Sequence, residues 1–171
     1  MKAKSRDYFA ELYVAGLMAD AGWNVYFPHR DRGLDFIISK TGPEGHEIIR
    51  PVQVKGKYPT NEKGNQNLYG YVGELNQIHP DMVLAIPFFS ANVPGPAVFV
   101  AYMPFGQIKV HSRGYRCQPA CFVGGCPKVR RSYTQYFDAS GLALMEQAGW
   151  GTRGQPTTPE ACHAFNVLKE S

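Results

Sequence analysis

The sequence predicts an α/β protein in which helices cover a mixed β-sheet, and three observations support this class. A helical period opens the chain, β-rich runs follow it, and the elements have the order α-β-β-β-α-β-β. The length of 171 residues suits one domain with an appendage, and 44% hydrophobic residues can fill a core. Charged residues make up only 19% of the chain, which disfavours a coiled coil or a solvated acidic tail.

The first helix is expected to run from Ser5, which can serve as its N-cap, to Gly22, where a left-handed residue ends a helix at low cost. Trp23 can then fold back as the apolar contact that often follows such a glycine. Apolar residues at helical spacing predict the buried face of this helix. They are Phe9, Leu12, Tyr13, Gly16 and Leu17.

Three β-rich runs, at 24–27, 34–39 and 47–55, predict the strands that follow the helix. The turn-forming segment 41–45 separates the last two runs, so these two strands should form a hairpin. Because the residues at 56–67 are polar and rich in turn formers, a mobile loop is expected after the third strand.

A short helix at 68–78 and two buried strands at 82–89 and 97–103 are expected next. The Pro- and Gly-containing turn at 92–96 separates the two strands. These elements complete a core domain over residues 1–103.

The chain beyond this core differs in composition and charge. Residues 1–103 carry ten basic and ten acidic side chains, so the whole net charge of +4 comes from 104–171. Within 104–131 there are six basic residues and no carboxylate. Gly, Pro, Cys and Arg are frequent and periodicity is weak, so an irregular basic extension packed on the core is predicted. Two helices should follow, one at 140–148 and one opened by Thr158.

The residues that indicate chemistry lie in the first sixty. Asp35 is the second residue of the predicted second strand, and Gln53 and Lys55 lie at the end of the third. Because strand side chains alternate, Gln53 and Lys55 point to one side and Val54 to the other. Pairing through the hairpin would bring Asp35 close to them, with Glu11 of the first helix as the second acid.

This set of groups suits hydrolysis of a phosphodiester. Mg²⁺ takes oxygen ligands and keeps several waters, so one or two carboxylates with an amide or backbone carbonyl suffice. Bound Mg²⁺, or Mn²⁺ in its place, would polarise the phosphate and help a water ionise. A lysine beside the ion can orient that water or stabilise the developing charge. The candidate metal ligands are Asp35, Gln53, the Val54 carbonyl and Glu11.

The pattern Glu11 … Gly33-Leu34-Asp35 … Gln53-Val54-Lys55, in this element order, resembles the PD-(D/E)XK nuclease superfamily, in its restriction-endonuclease-like and Holliday-junction-resolvase-like branches. The resemblance covers about residues 5–103 and implies an α-β-β-β-α-β sandwich with a central mixed sheet. It implies that Asp35 and Gln53 bind metal, that Lys55 positions the nucleophile and that Glu11 completes the site.

Two positions depart from the family pattern. Leu34 precedes the aspartate where proline is usual, a replacement that the superfamily commonly tolerates. Gln53 replaces the usual acid, which lowers the negative charge that holds the metal.

Each of these residues also has a structural interpretation. Asp35 follows a glycine-containing turn and can cap it, and the triplet 53–55 is a common pattern of edge strands. Glu11 can face solvent, in which case Asp7, one helical turn earlier, is the reserve candidate for the second acid. The catalytic interpretation depends on the agreement of residue order, spacing and predicted strands.

Basic residues interleaved with aromatic residues predict a nucleic-acid contact surface in the extension. Neutralised phosphates supply affinity that is independent of base sequence and falls with salt. The alternative is a solvated basic loop. The candidate DNA-binding residues are Lys57, Lys63, Lys109, Arg113, Arg116, Lys128, Arg130 and Arg131.

Three cysteines of the extension have spacings close to those of a structural zinc site. Cys117 and Cys121 have the usual pair spacing, whereas Cys126 lies one residue too far along the chain. The alternative is that all three are buried or loop thiols. The candidate ligands are Cys117, Cys121, Cys126 and His111, with Cys162 or His163 in reserve.

The N-terminal segment has no apolar core of signal-peptide length, and no run reaches the roughly 18 apolar residues of a membrane span. A cytoplasmic protein without membrane contact is therefore expected. Walker, dinucleotide and G-x-S-x-G motifs do not occur. The expected function is a Mg²⁺-dependent endodeoxyribonuclease for duplex or branched DNA, which can pair as a homodimer. Two alternatives stay open: a non-catalytic DNA-binding module of the same fold, and a zinc-stabilised interaction domain.

Overall fold

The computed structural model describes residues 3–30, 33–59, 71–73, 75, 78–90, 95–112 and 114–154, with the backbone alone at 3–6 and 71–73. Within these residues the chain is mixed α/β and is built on a five-stranded central sheet, so the predicted α/β class with a mixed sheet is confirmed. The strands are β1 (Asn24–Tyr26), β2 (Phe36–Thr41), β3 (Glu47–Val54), β4 (Tyr71–Gly73), β5 (Val83–Phe88), β6 (Phe99–Pro104), β7 (Lys109–His111), β8 (Gly114–Arg116), β9 (Ala120–Val123) and β10 (Cys126–Val129).

Helix α1, Ala3–Asp20, precedes the sheet and ends as the sequence predicts. Gly22 has a φ of +86°, and the N–H of Trp23 donates to the Met18 carbonyl at 3.1 Å. The start of the helix differs from the prediction. Because the helix begins at Ala3 and continues through Ser5, Ser5 is not its N-cap.

The buried face of α1 also differs from the predicted stripe. Ala10 and Met18 are almost fully buried, whereas Phe9 and Leu12 are 43% and 45% exposed. A Cβ added at Gly56 would lie only 3.1 Å from the Ala10 Cβ, so the helix comes close to the chain just after β3. A bulky side chain at this contact would hold α1 away from the sheet, and the side with the smaller residue is therefore the one that is buried.

The central sheet has the strand order β1-β2-β3-β5-β6. Neighbouring strands are antiparallel except for β3 and β5, which run parallel with Val52 opposite Val83. A parallel pair requires a crossover connection. The helix predicted at 68–78 is wrong at 71–73, where the chain forms β4 and pairs with β8 of a second sheet. Most of the rest of that range lies outside the described residues.

Both faces of the central sheet are covered, and all six residues of β5 are therefore buried. On one face, Val14 of α1 packs in a cluster with Phe36 and Trp150. On the other face, Phe122 and Tyr136 of the extension pack in a cluster with the buried residues of β5 and β6. Residues after 104 thus supply one wall of the core.

The extension is more regular than the sequence analysis predicts. Strands β4, β8 and β7 form a small sheet, and β9 and β10 form a hairpin. Gly124 and Gly125 close this hairpin, and both have positive φ, as a tight two-residue turn requires. The expectation of an irregular segment was wrong because strands of three or four residues are too short to produce visible periodicity.

Helix α2, Asp138–Met145, overlaps the helix predicted at 140–148, and the chain after it returns to the central sheet. Arg50 Nε of β3 donates to the Met145 carbonyl at 2.7 Å, and Trp150 Nε1 donates to the Met82 carbonyl at 2.9 Å. The helix predicted from Thr158 lies outside the described residues. None of the described helices is long and apolar enough to cross a membrane.

Candidate active site

Asp35 lies immediately before β2, next to the end of β3. Its backbone N–H donates to the Val52 carbonyl at 3.0 Å, which continues the pairing of the two strands. Its Oδ2 accepts hydrogen bonds from Gln53 Nε2 at 3.0 Å and from the Val54 N–H at 2.5 Å. The Asp35 carboxylate therefore accepts the hydrogen bond from Val54 that a backbone carbonyl of a neighbouring strand would otherwise accept, because β2 has not yet begun at this point. The structure brings Asp35 and Gln53 together at one end of the hairpin.

Gln53 and Val54 are both buried, each with 6% of its surface exposed. The Val54 side chain belongs to the core between α1 and the sheet, whereas the Gln53 amide is paired with the carboxylate of Asp35. Within an extended strand, the N–H and C=O of one residue point to the same edge. Because the Val54 N–H points to Asp35, the Val54 carbonyl lies on the Asp35 side of β3.

A cleft of about 310 Å³ opens beside this pair of strands. Glu11 of α1 and Asp35 both line it, so two carboxylates from separate elements face one cavity. Ala10, next to Glu11 in α1, comes close to Gly56, so α1 packs directly against the chain that follows β3. The apolar part of the lining consists of Tyr8, Phe27, Pro28 and Leu34.

Lys55 follows β3 and is held by β5, since its N–H donates to the Ala85 carbonyl at 2.9 Å. It is partly buried and is not among the residues that line the Asp35 cleft. Lys57, two residues later, continues the parallel pairing with β5. Burial and then the charge of Lys55 lower the pKa of Lys57 to about 8, while Cys117 and Asp7 act in the opposite direction.

The predicted DNA-binding residues occupy different environments. Lys63 and Arg113 lie outside the described residues, and Lys57 is partly buried near Lys55. Lys128 and Arg131 are exposed on the extension. The other three, Lys109, Arg116 and Arg130, line one pocket there.

The described cysteines have free thiols in unlike environments. Cys117 is buried, Cys121 is partly buried on β9 and Cys126 is exposed at the start of β10. Burial raises the pKa of Cys117 to about 12, which opposes the thiolate that zinc requires. Within the described ranges, no group of three or more His, Cys, Asp or Glu is placed to hold a metal ion, so these cysteines and His111 are not gathered. Zinc binding stays a prediction.

Several residues of the Asp35 cleft are absent from the sequence-based site. Tyr8 lies one helical turn before Glu11, and Phe27 and Pro28 follow β1. A signal was available for Tyr8, because residues three apart on a helix share one face. Phe27 and Pro28 could be found only from the pairing of β1 with β2, which brings the end of β1 to the start of β2.

Comparison with known proteins yields no match: neither a family model, nor a curated protein, nor a solved structure corresponds to this chain. The class of protein is therefore argued from the fold and the chemistry of the site. Glu11 and Asp35 contribute two carboxylates to the lining of one cleft, and carboxylate oxygens are ligands that a hard divalent cation prefers.

Proposed function

We propose that this chain is a metal-dependent endodeoxyribonuclease of the PD-(D/E)XK type, which hydrolyses phosphodiester bonds of duplex or branched DNA. The observation that carries the proposal is the convergence of Glu11 and Asp35 on one cleft, with Gln53 bonded to Asp35. The mixed central sheet supports it at the level of sheet class, because β1, β2 and β3 are antiparallel and β5 runs parallel to β3.

The donor set fits Mg²⁺ or Mn²⁺. Asp35 before β2, Glu11 of α1 and the Val54 carbonyl of β3 would offer oxygen atoms to the ion, and Mg²⁺ accepts such a partial set because it retains waters. Gln53 would contribute a neutral amide where an acid is usual, so the ion would be held less tightly. A bound ion supplies positive charge that polarises the scissile phosphate and lowers the pKa of a nearby water.

The residues of the chain have separate tasks in this mechanism. Asp35 is held rigid by two hydrogen bonds, which fixes its second oxygen relative to the cleft. Lys55, anchored to β5 through its backbone, would orient the attacking water and offset the charge on the phosphate. Glu11, which lines the same cleft, would assist as second acid.

The basic extension would hold the DNA against this site. Lys128 and Arg131 are exposed, and residues 104–131 contain no carboxylate that would repel phosphates. Because one site cuts one strand, cleavage of both strands in one binding event would use two copies of the chain, and a homodimer is part of the proposal. The molar mass of the complex between the protein and duplex DNA, measured in EDTA, tests whether two copies bind together.

The test of the proposal is cleavage of supercoiled plasmid in Mg²⁺ and in Mn²⁺ by wild type, Asp35→Asn, Lys55→Gln and Glu44→Gln. Asp35→Asn keeps an oxygen that can accept both hydrogen bonds, so it removes charge without removing the fold. Glu44 is exposed in the β2–β3 turn and makes the matched control. We expect Asp35→Asn and Lys55→Gln each to lose about a hundredfold or more in rate, and Glu44→Gln to cut normally.

A second candidate is a DNA-binding module that retains the fold without catalysis. It is favoured by the bonding of Asp35 Oδ2 to Gln53 and Val54, an arrangement that stabilises the strand ends without any metal. This candidate predicts that wild type does not cut in either metal, and that Asp35→Asn binds DNA as wild type does. Equal cutting by all four proteins in the plasmid test would exclude the catalytic assignment.

A further inference from the structure

A second cavity, of about 230 Å³, lies in the extension and shares no lining residue with the Asp35 cleft. Three cationic side chains line it, together with two amides, a tyrosine and the buried Cys117, and none of the described lining residues is a carboxylate. We propose that this cavity is a pocket for one phosphate group, and that the group is the terminal phosphate of a nucleic-acid strand. The residues that would contact it are Lys109, Arg116, Arg130, Gln107, Gln118 and Tyr133.

The register of the small sheet forces the cations together. Lys109 of β7 lies directly opposite Arg116 of β8 in an antiparallel pair. Like charges at directly opposite positions are destabilising. Arg130 adds a third charge after β10, where its N–H donates to the Pro119 carbonyl at 2.9 Å. A bound anion would remove this repulsion, so the arrangement favours a negatively charged ligand.

The polar side chains of the pocket orient these charges. Gln118 is 8% exposed, and its Oε1 accepts a hydrogen bond from Arg116 Nη2 at 3.1 Å. A guanidinium has five N–H donors in a fixed plane, so one bond to Gln118 leaves an edge that can bind two phosphate oxygens. Gln107 and Tyr133 add neutral donors on the same lining.

The shape and charge of the pocket favour a terminal phosphate over an internal one. An internal phosphodiester carries one negative charge and has a sugar on each side, whereas a terminal phosphate carries a charge of about −1.5 to −2 and has one free side. The terminal group has three free oxygens for three cations and one substituent fewer to obstruct its entry into a concavity. Lys128 and Arg131, which are exposed on either side of Arg130, would contact the following phosphates of the strand.

The phosphate pocket itself is independent of catalysis, and only the choice of nucleic acid as carrier rests on the proposed function. The test is calorimetric titration, in EDTA, of short DNA strands that end in a 5′-phosphate, a 3′-phosphate or hydroxyls alone. We expect either the 5′-phosphorylated or the 3′-phosphorylated strand, whichever end the pocket accepts, to bind about tenfold more tightly than the strand that ends in hydroxyls. Lys109→Gln and Arg116→Gln should lose this preference.

Lys128→Gln is the matched control, because it removes one positive charge from the extension at an exposed residue outside the pocket lining. It should weaken all three strands alike and keep the preference. Asp35→Asn should also keep it, so a failed cleavage assay and a failed pocket assay are distinguishable. Circular dichroism of each variant checks that the fold is retained.

Titration of inorganic phosphate in the same way distinguishes a pocket for the end of a nucleic-acid strand from a pocket for a small phosphate compound. Competition by phosphate against the phosphorylated strand supports the pocket. Binding of phosphate that Arg116→Gln abolishes, without any preference for phosphorylated strands, overturns the nucleic-acid assignment in favour of a small phosphate ligand. Equal binding of the three strands and no phosphate binding overturns the pocket altogether.

Discussion

At the scale of single residues, the contact between Asp35 and Gln53 decides how the site behaves. The glutamine donates to the carboxylate at 3.0 Å, so the pair is stable as it stands. A glutamate at position 53 would provide a stronger metal ligand but would place two carboxylates in contact. In the proposed metal site, Gln53 would therefore lower the affinity for metal and stabilise the metal-free fold.

Gln53→Glu tests this exchange. Loss of the hydrogen bond and repulsion from Asp35 should destabilise the variant by roughly 1.5–3 kcal/mol in EDTA, and Mg²⁺ should recover part of the difference. Urea unfolding with and without Mg²⁺ measures both effects. Gln135→Glu, at an exposed position, makes the same charge change outside the site. Identical unfolding of the two variants would contradict the role given to Gln53.

Lys57 provides a second residue-scale prediction, through pH. Its pKa falls from 10.5 to about 8 on folding, so the unfolded chain binds more protons between these pH values. The free energy of unfolding should therefore increase as pH rises from about 8 to about 10.5, because the cost of burying a charged Lys57 disappears over this range. Lys57→Met should be more stable than wild type at pH 7, by at most about 3 kcal/mol, with a difference that shrinks toward pH 10.

Urea unfolding at a series of pH values measures the Lys57 effect, with Lys128→Met as the exposed control. The buried thiol of Cys117, whose pKa is raised to about 12, acts in the opposite direction above pH 9. Because Lys57 and Cys117 affect each other's pKa, the difference between the two proteins is compared below pH 9, where the thiol is uncharged in both. A difference that does not change with pH would refute the lowered pKa.

At the scale of elements, α1 and α2 each contain a glycine, and the two glycines differ in the space around them. A Cβ added at Gly16 of α1 meets nothing within 4 Å, whereas one added at Gly141 of α2 would lie 2.3 Å from the Tyr136 carbonyl oxygen. Gly16→Ala should stabilise the protein by about 0.5–1 kcal/mol through helix propensity. Gly141→Ala should destabilise it by about 1–3 kcal/mol through overpacking.

Thermal unfolding of the two glycine variants side by side measures both effects, and each serves as the control for the other. The two substitutions are chemically identical, so helix propensity alone predicts shifts of the same sign. Shifts in opposite directions indicate that α2 is in contact with its neighbours as described. Two increases in melting temperature would refute that packing.

Much of the element order could be predicted from the sequence, and the failures have physical causes. The hairpin of β2 and β3 was accessible because turn residues separate two long β-rich runs. The buried face of α1 was not, since Phe9 and Ala10 both fit a helical stripe and only the approach to Gly56 decides between them. The site residues likewise divide into those that could be predicted from the sequence and those that could not. Asp35 and Gln53 were found through hairpin register, whereas the Lys109–Arg116 pair depends on a hairpin whose strands are too short to detect.

At the scale of the whole molecule, Arg50 joins the first half of the chain to the second. Burial lowers the pKa of Arg50, and the charge of Asp81 offsets part of this shift. The Arg50 side chain donates to the carbonyls of Met145 and Gln147. The guanidinium also lies 5.7 Å from the Trp150 ring. The extension is thereby attached to the sheet that carries the candidate site.

Arg50→Met tests this attachment. The substitution leaves two carbonyls without their donor and should cost about 2–3 kcal/mol, whereas Arg131→Met, at an exposed position, should cost little. Fluorescence of the two tryptophans and far-ultraviolet circular dichroism should report one common unfolding transition. Two separate transitions would mean that the halves unfold independently.

The bond from Arg50 to Met145 joins residues that are 95 positions apart in the sequence, and this has a consequence for biosynthesis. A nascent chain that has just left the ribosome with β3 complete has no partner for the Arg50 guanidinium, and one face of its sheet is bare. The bond from Arg50 to Met145, and with it this part of the packing of the central sheet, can therefore form only after α2 has left the ribosome. A newly made molecule would therefore complete the packing of its central sheet late, after most of the basic extension has been synthesised.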